Sequence, residues 1–146
     1  MTTGAGTTEN VWAAVFLAWL IALAASLGAL FIGEIMGQTP CNLCWYQRAF
    51  MFPLAVILAV ASFRGDASVS WYGLPLAALG AAIAAFHSLL YAGVIPAAIE
   101  PCGQDGPSCS SADMTILGVL PLPYLSLSAF LSIALLLVLA RRRRPA

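Results

Sequence analysis

Four apolar stretches separated by short polar connections make up most of this 146-residue chain. The first runs from Val11 to about Met36, interrupted by Glu34 near its end, and the second from about Leu43 to Phe63, with Arg48 inside it. The third spans Trp71 to Ile95 around His87, and the fourth ends at Ala140 after beginning between Ile116 and Pro123. About 20 apolar residues in α-helix cross the hydrocarbon core of a bilayer, so each stretch is long enough to span. With 62% hydrophobic and only 8% charged residues, the chain cannot clothe a water-facing surface, for which a soluble domain uses about 25% charged residues. The expectation is an all-α membrane protein: a four-transmembrane-helix bundle forming a single domain over 1–146, with helices near 11–36, 43–63, 71–95 and 121–140 and external loops near 37–42 and 96–120. The first stretch follows no basic segment and far exceeds the ~7–15 apolar residues of a signal peptide, so it reads as an uncleaved helix. Lysine is absent and the formal net charge is zero. No basic face is therefore offered to nucleic acid.

Orientation follows from the arginines. Arg141, Arg142, Arg143 and Arg144 close the fourth stretch, and Arg64 lies in the turn between the second and third. With four spans these places share one side, and positively charged residues favour the cytoplasmic side. Both termini are then expected inside. The two remaining loops have no lysine or arginine, and the longer carries Glu100, Asp105 and Asp113. Aromatic residues favour the two interfaces, which assigns Trp12, Trp71 and Tyr72 to the inner one and Trp45, Tyr46, Tyr91 and Tyr124 to the outer one.

All four cysteines then fall on the external side: Cys41 and Cys44 in the first loop, Cys102 and Cys109 in the second. Disulfides persist outside the cytoplasm. A purely structural bridge suits Cys102–Cys109 better than Cys41–Cys44, because closing a loop of two residues constrains little chain entropy. The C-N-L-C pair reads instead as one that opens and closes. Pro40 imposes an extended entry and the helix starts within the C-x-x-C unit, which puts Cys44 in its first turn, where free N–H groups and the helix dipole favour a thiolate. Arg48 is one turn further on the same face, and an ionisable residue within a span commonly serves a function. The second pair lies in E-P-C-G-Q-D-G-P-S-C, a glycine- and proline-rich loop suited to thiol–disulfide exchange. Zinc is the chemical competitor, since four cysteines satisfy a tetrahedral site, although C-x6-C is a loose spacing for it.

C-N-L-C-W-Y-Q-R, from Cys41 to Arg48, resembles the signature of the DsbB/BdbC family of membrane thiol oxidases. The later P-C, C-S and G-V-L-P-L-P-Y-L-S-L-S-A-F segments resemble that family as well, and the similarity covers about Glu34 to Phe130. The resemblance implies a bacterial cytoplasmic-membrane enzyme that reoxidises an external DsbA/BdbD-like thioredoxin-fold protein and passes electrons to a membrane quinone, ubiquinone or menaquinone. It implies disulfides Cys41–Cys44 and Cys102–Cys109, attack by the partner at Cys102, and a transient interloop Cys41–Cys109 bridge. Cys44 would face the quinone, with Arg48 stabilising negative charge on the sulfur and on the quinone oxygen. His87 would lie near the quinone, although a buried histidine bonded to another helix fits the residues equally; if the third helix ends at Ile95, it sits roughly 12 Å below the outer end, deeper than Cys44. Glu34 is expected to pair with Arg48 or with the loop. The second loop is short, like that of the BdbC branch, and offers only Met114 to Leu120 for a membrane-lying helix. Pro123 is expected as the first residue of the fourth helix, with the proline-rich segment before it walling the quinone site. Vitamin K epoxide reductase-like enzymes use comparable parts but place the loop pair before the C-x-x-C, the reverse of this chain. A soft-metal-binding membrane protein and a structural bundle with inert bridges also compete for these residues.

Overall fold

A computed structural model of the chain describes residues 3–96, 109, 115–116 and 119–143, with side chains from residue 8 onward. Cys102, Glu100, Asp105, Asp113 and Arg144 lie outside the described residues. The elements are helices α1 (Thr3–Leu30), α2 (Asn42–Arg64), α3 (Ser70–Tyr91) and α4 (Leu122–Arg142), with two short strands, β1 (Thr115–Ile116) and β2 (Leu120–Pro121), before the last helix. All four helices are long and apolar enough to cross a membrane. Each packs on its two neighbours, α1 on α2, α2 on α3, α3 on α4, and α4 back on α1.

The seam of the bundle is written at alternating spacings of three and four residues. Val11, Val15, Ala18 and Ala22 bury one stripe of α1, and Met51, Leu54, Leu58 and Ala61 bury one stripe of α2. On α3 the buried stripe is Gly73, Ala77, Gly80 and Ala84, and on α4 it is Phe130, Ile133, Leu137 and Ala140. A repeat averaging 3.5 residues keeps one seam facing the partner helices. Small residues on α3 face large ones on α4: a Cβ on Gly80 would lie 2.2 Å from the Phe130 ring. The small-residue run of the third stretch is therefore packing, as helix association in lipid favours. Leu17, Leu27, Val56, Val60, Leu79, Leu131 and Leu135 point outward, an apolar belt suited to lipid tails.

The helix limits differ from the sequence expectation in several places, α1 already beginning at Thr3 rather than Val11. α3 stops at Tyr91 rather than Ile95, because Gly93 takes φ 73°. Its N–H bonds Leu90 O at 3.1 Å and that of Val94 bonds Leu89 O at 3.0 Å, a Schellman closure that ends the helix. α4 starts at Leu122, capped by Pro121, and continues to Arg142. Proline is tolerated in a first turn whose N–H groups have no intrahelical partner, so Pro123 does not hold Leu122 out of the helix. At the other end Arg141 stacks 3.9 Å over the Trp71 ring. Finally, within Met114 to Leu120 the described residues form no helix: Thr115 pairs with Pro121 and Ile116 with Leu120 in an antiparallel ladder. The ladder aligns with Pro121 at its edge, where a missing N–H is harmless.

The aromatic residues sort to the two ends of the bundle. Tyr91 and Tyr124 meet edge to face at 5.8 Å beside the cysteine end. Trp12 donates its indole N–H to Ser62 O (2.9 Å) at the opposite end, where Arg64, Trp71 and Arg141 also lie.

Candidate active site

The site is assembled at the start of α2. Cys41 is the N-cap, extended at φ −71° and ψ 170°, and its Sγ accepts the backbone N–H of Cys44 at 3.4 Å. The residue that takes up a helix's first free N–H is usually an oxygen-bearing side chain; a sulfur there collects the same dipole and hydrogen bond. The Cys41 and Cys44 Sγ atoms face each other 3.0 Å apart. Cys41 is 1% exposed. The Cys44 thiol bonded to Cys41, together with His87 and the Cys44 N–H, holds the Cys41 thiol well below the ordinary range despite the opposing cost of burial. The sulfur that takes up the helix's first free N–H is that of Cys41, where the sequence pointed to Cys44. Cys44, half-buried, lies on the wall of a cavity.

That cavity has a volume of about 520 Å³ and lies among α1, α2 and α4. Ala25 and Gly28 of α1, Met51 of α2, Ile116 of β1 and Leu122 and Phe130 of α4 give it apolar walls, and Cys44, Gln47, Arg48 and His87 supply polar groups. Sites for small organic ligands usually have this character, mostly apolar with a few converging polar atoms, at about 300–1,000 Å³. Ile116 and Leu122 bring the proline-rich segment to this wall.

Arg48 lines the same cavity as Cys44 and turns to the backbone of α1 instead of to Glu34. Its Nη2 donates to Ala29 O at 2.7 Å, and its guanidinium carbon lies 5.3 Å from the Trp45 ring centre. The approach is close: a Cβ on Gly33 would sit 3.0 Å from Nη2. Gly33 falls in a π-helical turn, Phe31–Ile35, that ends the first span and leaves Glu34 exposed. Such turns widen the backbone and recur at functional sites.

His87 is not below the cysteines but level with them. Its Nε2 lies 3.9 Å from Cys41 Sγ and 3.1 Å from the Cys109 carbonyl oxygen, and its Nδ1 is 2.9 Å from Gln47 Nε2. The depth differs because α3 ends one turn early, which leaves His87 one turn from its end. Cys41, Cys44 and His87 lie within 4.8 Å of one another. Cys109 is disulfide-bonded and fully buried in one cluster with Cys41, Leu43 and Leu90. The second loop's cysteine is thus packed against the first pair, while Cys102 lies outside the described residues.

Gln47 was not singled out from the sequence. The signal was present: Gln47 and His87 continue the buried stripes Met51–Leu54–Leu58 and Ala77–Gly80–Ala84 by one step toward the cysteine end. Two polar residues at corresponding steps of facing seams are placed to meet.

Four helices fit to span a membrane, with a vicinal dithiol at one helix start, a third cysteine packed on it and an apolar cavity alongside, define the class: a membrane thiol–disulfide protein. The family model described as "Disulfide bond formation protein DsbB" matches residues 10–140. A "Probable disulfide formation protein" of Metapseudomonas resinovorans is 61% identical over 132 residues, covering 90% of this chain and 92% of its own. A protein of the same description from Deinococcus radiodurans is 44% identical, covering 88% and 89%. "Disulfide bond formation protein C" of Bacillus subtilis is 39% identical, covering 87% and 91%. No solved structure matches the chain. The chain belongs to the DsbB family of disulfide bond formation proteins, a membrane oxidoreductase family.

Proposed function

We propose that this protein is a quinone-dependent thiol oxidase that regenerates a thioredoxin-fold disulfide donor outside the bacterial cytoplasmic membrane. The observation that carries the proposal is the apolar cavity of about 520 Å³ with Cys44 and Arg48 on its wall. A quinone ring and the first part of its isoprenoid tail match that volume and polarity, and a bound quinone would accept two electrons and two protons. Arg48 would hold the oxygen that gains negative charge, and the apolar walls would keep water from screening that interaction.

The two cysteine pairs would act in series. A thiolate of the partner attacks Cys102, breaking Cys102–Cys109 and leaving Cys109 as a thiolate. Cys109 then attacks Cys41 of a Cys41–Cys44 disulfide, forming Cys41–Cys109 and freeing Cys44 beside the cavity. The remaining partner thiol resolves the mixed disulfide at Cys102, and Cys102 reforms its bond to Cys109 as Cys41 is released. The partner's two electrons then rest on the Cys41–Cys44 dithiol. Discharge to quinone closes the cycle.

A soft metal held by Cys41, Cys44 and His87 is the second reading, since these ligands cluster within 4.8 Å. A tetrahedral zinc with ~2.3 Å bonds spaces its sulfurs about 3.8 Å apart. The observed 3.0 Å is shorter than that spacing, so a zinc ion would need the two sulfurs to move apart.

The test is quinone reduction by the detergent-purified protein supplied with a reduced thioredoxin-fold dithiol, beside Cys44→Ser and Cys102→Ser. Turnover by the native protein alone supports the relay. Silence across ubiquinone and menaquinone analogues, with stoichiometric zinc in the reduced protein, replaces it with the metal reading.

A further inference from the structure

We propose that Gln47 is a positioning residue that fixes the tautomer of His87, and that His87 in turn docks the second-loop cysteine, Cys109, beside Cys41. The geometry is specific. His87 Nε2 faces the Cys109 carbonyl at 3.1 Å and Cys41 Sγ at 3.9 Å. A carbonyl oxygen only accepts, so Nε2 carries the proton. In the neutral ring Nδ1 is then an acceptor, and it meets the Gln47 amide N–H at 2.9 Å. The set is closed: Gln47 is 7% exposed, His87 and Cys41 1%, and Cys109 0%, and no buried side-chain nitrogen or oxygen among the described residues is without a partner.

Each contact has a reason in the fold. Gln47 and His87 lie on the facing buried stripes of α2 and α3, between Met51 and Leu43 on one helix and between Ala84 and Leu90 on the other, so the bundle itself brings them together. With its Nδ1 held by Gln47, the ring has one proton left, and that proton points to the place where the loop must sit for exchange. Docking through a backbone carbonyl uses neither the Cys41 nor the Cys109 sulfur as the docking group. An apolar residue at position 47 would leave Nδ1 buried without a donor, favouring rotation of the ring away from Cys109. Cys41 gains as well, since the same Nε2–H faces its sulfur and favours the thiolate.

Docking of this kind serves the two-pair relay proposed above, but neither readout below uses quinone or a partner protein. The chain has a single histidine, so ¹⁵N-histidine labelling gives one pair of ring nitrogen resonances. The native protein in detergent is expected to show a protonated Nε2 and an unprotonated, hydrogen-bonded Nδ1. A proton on Nδ1 alone, or on both nitrogens at neutral pH, overturns the proposal without any substitution. In a Cys44→Ser/Cys102→Ser background only Cys41 and Cys109 remain to pair, and glutathione buffers measure how readily they do. Adding Gln47→Met is expected to weaken Cys41–Cys109 pairing by about five- to tenfold, the loss of one buried hydrogen bond, and to move the Nδ1 resonance to its unbonded position. His87→Phe should weaken pairing at least as much. Pairing within twofold of the parent for both variants overturns docking. A native protein that shows the tautomer and the docking yet reduces no quinone overturns the relay alone.

Discussion

Cys41 combines the capping of α2 with a place in the reactive pair, and the two roles reinforce each other. The N–H that a cap satisfies and the dipole it faces are what hold a sulfur in its anionic form. Because its strongest stabiliser is the bonded Cys44 thiol, the Cys41 thiolate should persist as pH falls through the ordinary thiol range and be lost only below it. Cys44→Ala removes that donor and is expected to shift the pH midpoint of Cys41 alkylation upward. Iodoacetamide rates followed by mass spectrometry of the Cys41 peptide would show this; an unmoved midpoint would mean that His87 and the helix start suffice. Arg48 belongs at this scale too. Arg48→Ala is expected to raise the KM for quinone about tenfold to a hundredfold, the worth of a hydrogen bond to a charged group, while exchange with the partner protein continues. Collapse of partner exchange with quinone affinity intact would assign Arg48 to the loop.

At the scale of elements, the small face of α3 sets how closely α4 approaches. Gly80 has no room for a Cβ, since the obstacle at 2.2 Å is the Phe130 ring, fully buried and on the cavity wall. Gly73 is more forgiving, because its nearest obstacle is a Leu137 methyl at 3.1 Å, the end of a flexible side chain. Gly80→Ala is therefore expected to cost about 1–3 kcal/mol by overpacking and to weaken quinone binding by driving Phe130 into the cavity, with Gly73→Ala much milder on both counts. Thermal unfolding in detergent and a quinone titration would separate the two variants; equal effects would mean that the seam yields freely. The presence of the four spans was legible because apolar runs of this length have one physical outlet. Their ends were not, because a Schellman closure cannot be read from apolarity: α3 ends through the positive φ of Gly93, while the apolar run continues to Ile95.

At the scale of the whole molecule, Arg64 and the arginines that end α4 lie at the end of the bundle opposite the cysteines, the arrangement from which we propose an inward-facing arginine end and an outward-facing cysteine end. In a cysteine-free background, Arg143→Cys and Arg64→Cys are expected to resist a membrane-impermeant maleimide in intact cells and to label after permeabilisation, whereas Thr39→Cys labels in both. The reverse pattern would invert the proposed topology. The sequence alone determined the number of apolar spans and the family signature C-N-L-C-W-Y-Q-R at the start of the second, because apolar length, charge and local spacing are properties of neighbouring residues. Only the tertiary structure decided which sulfur the helix start favours, that His87 stands level with Cys41 rather than beneath it, and that Gln47 and Cys109 join them. Those contacts link residues 22 to 46 positions apart, and their geometry depends on where each helix ends and how closely the seams pack, which no local pattern encodes.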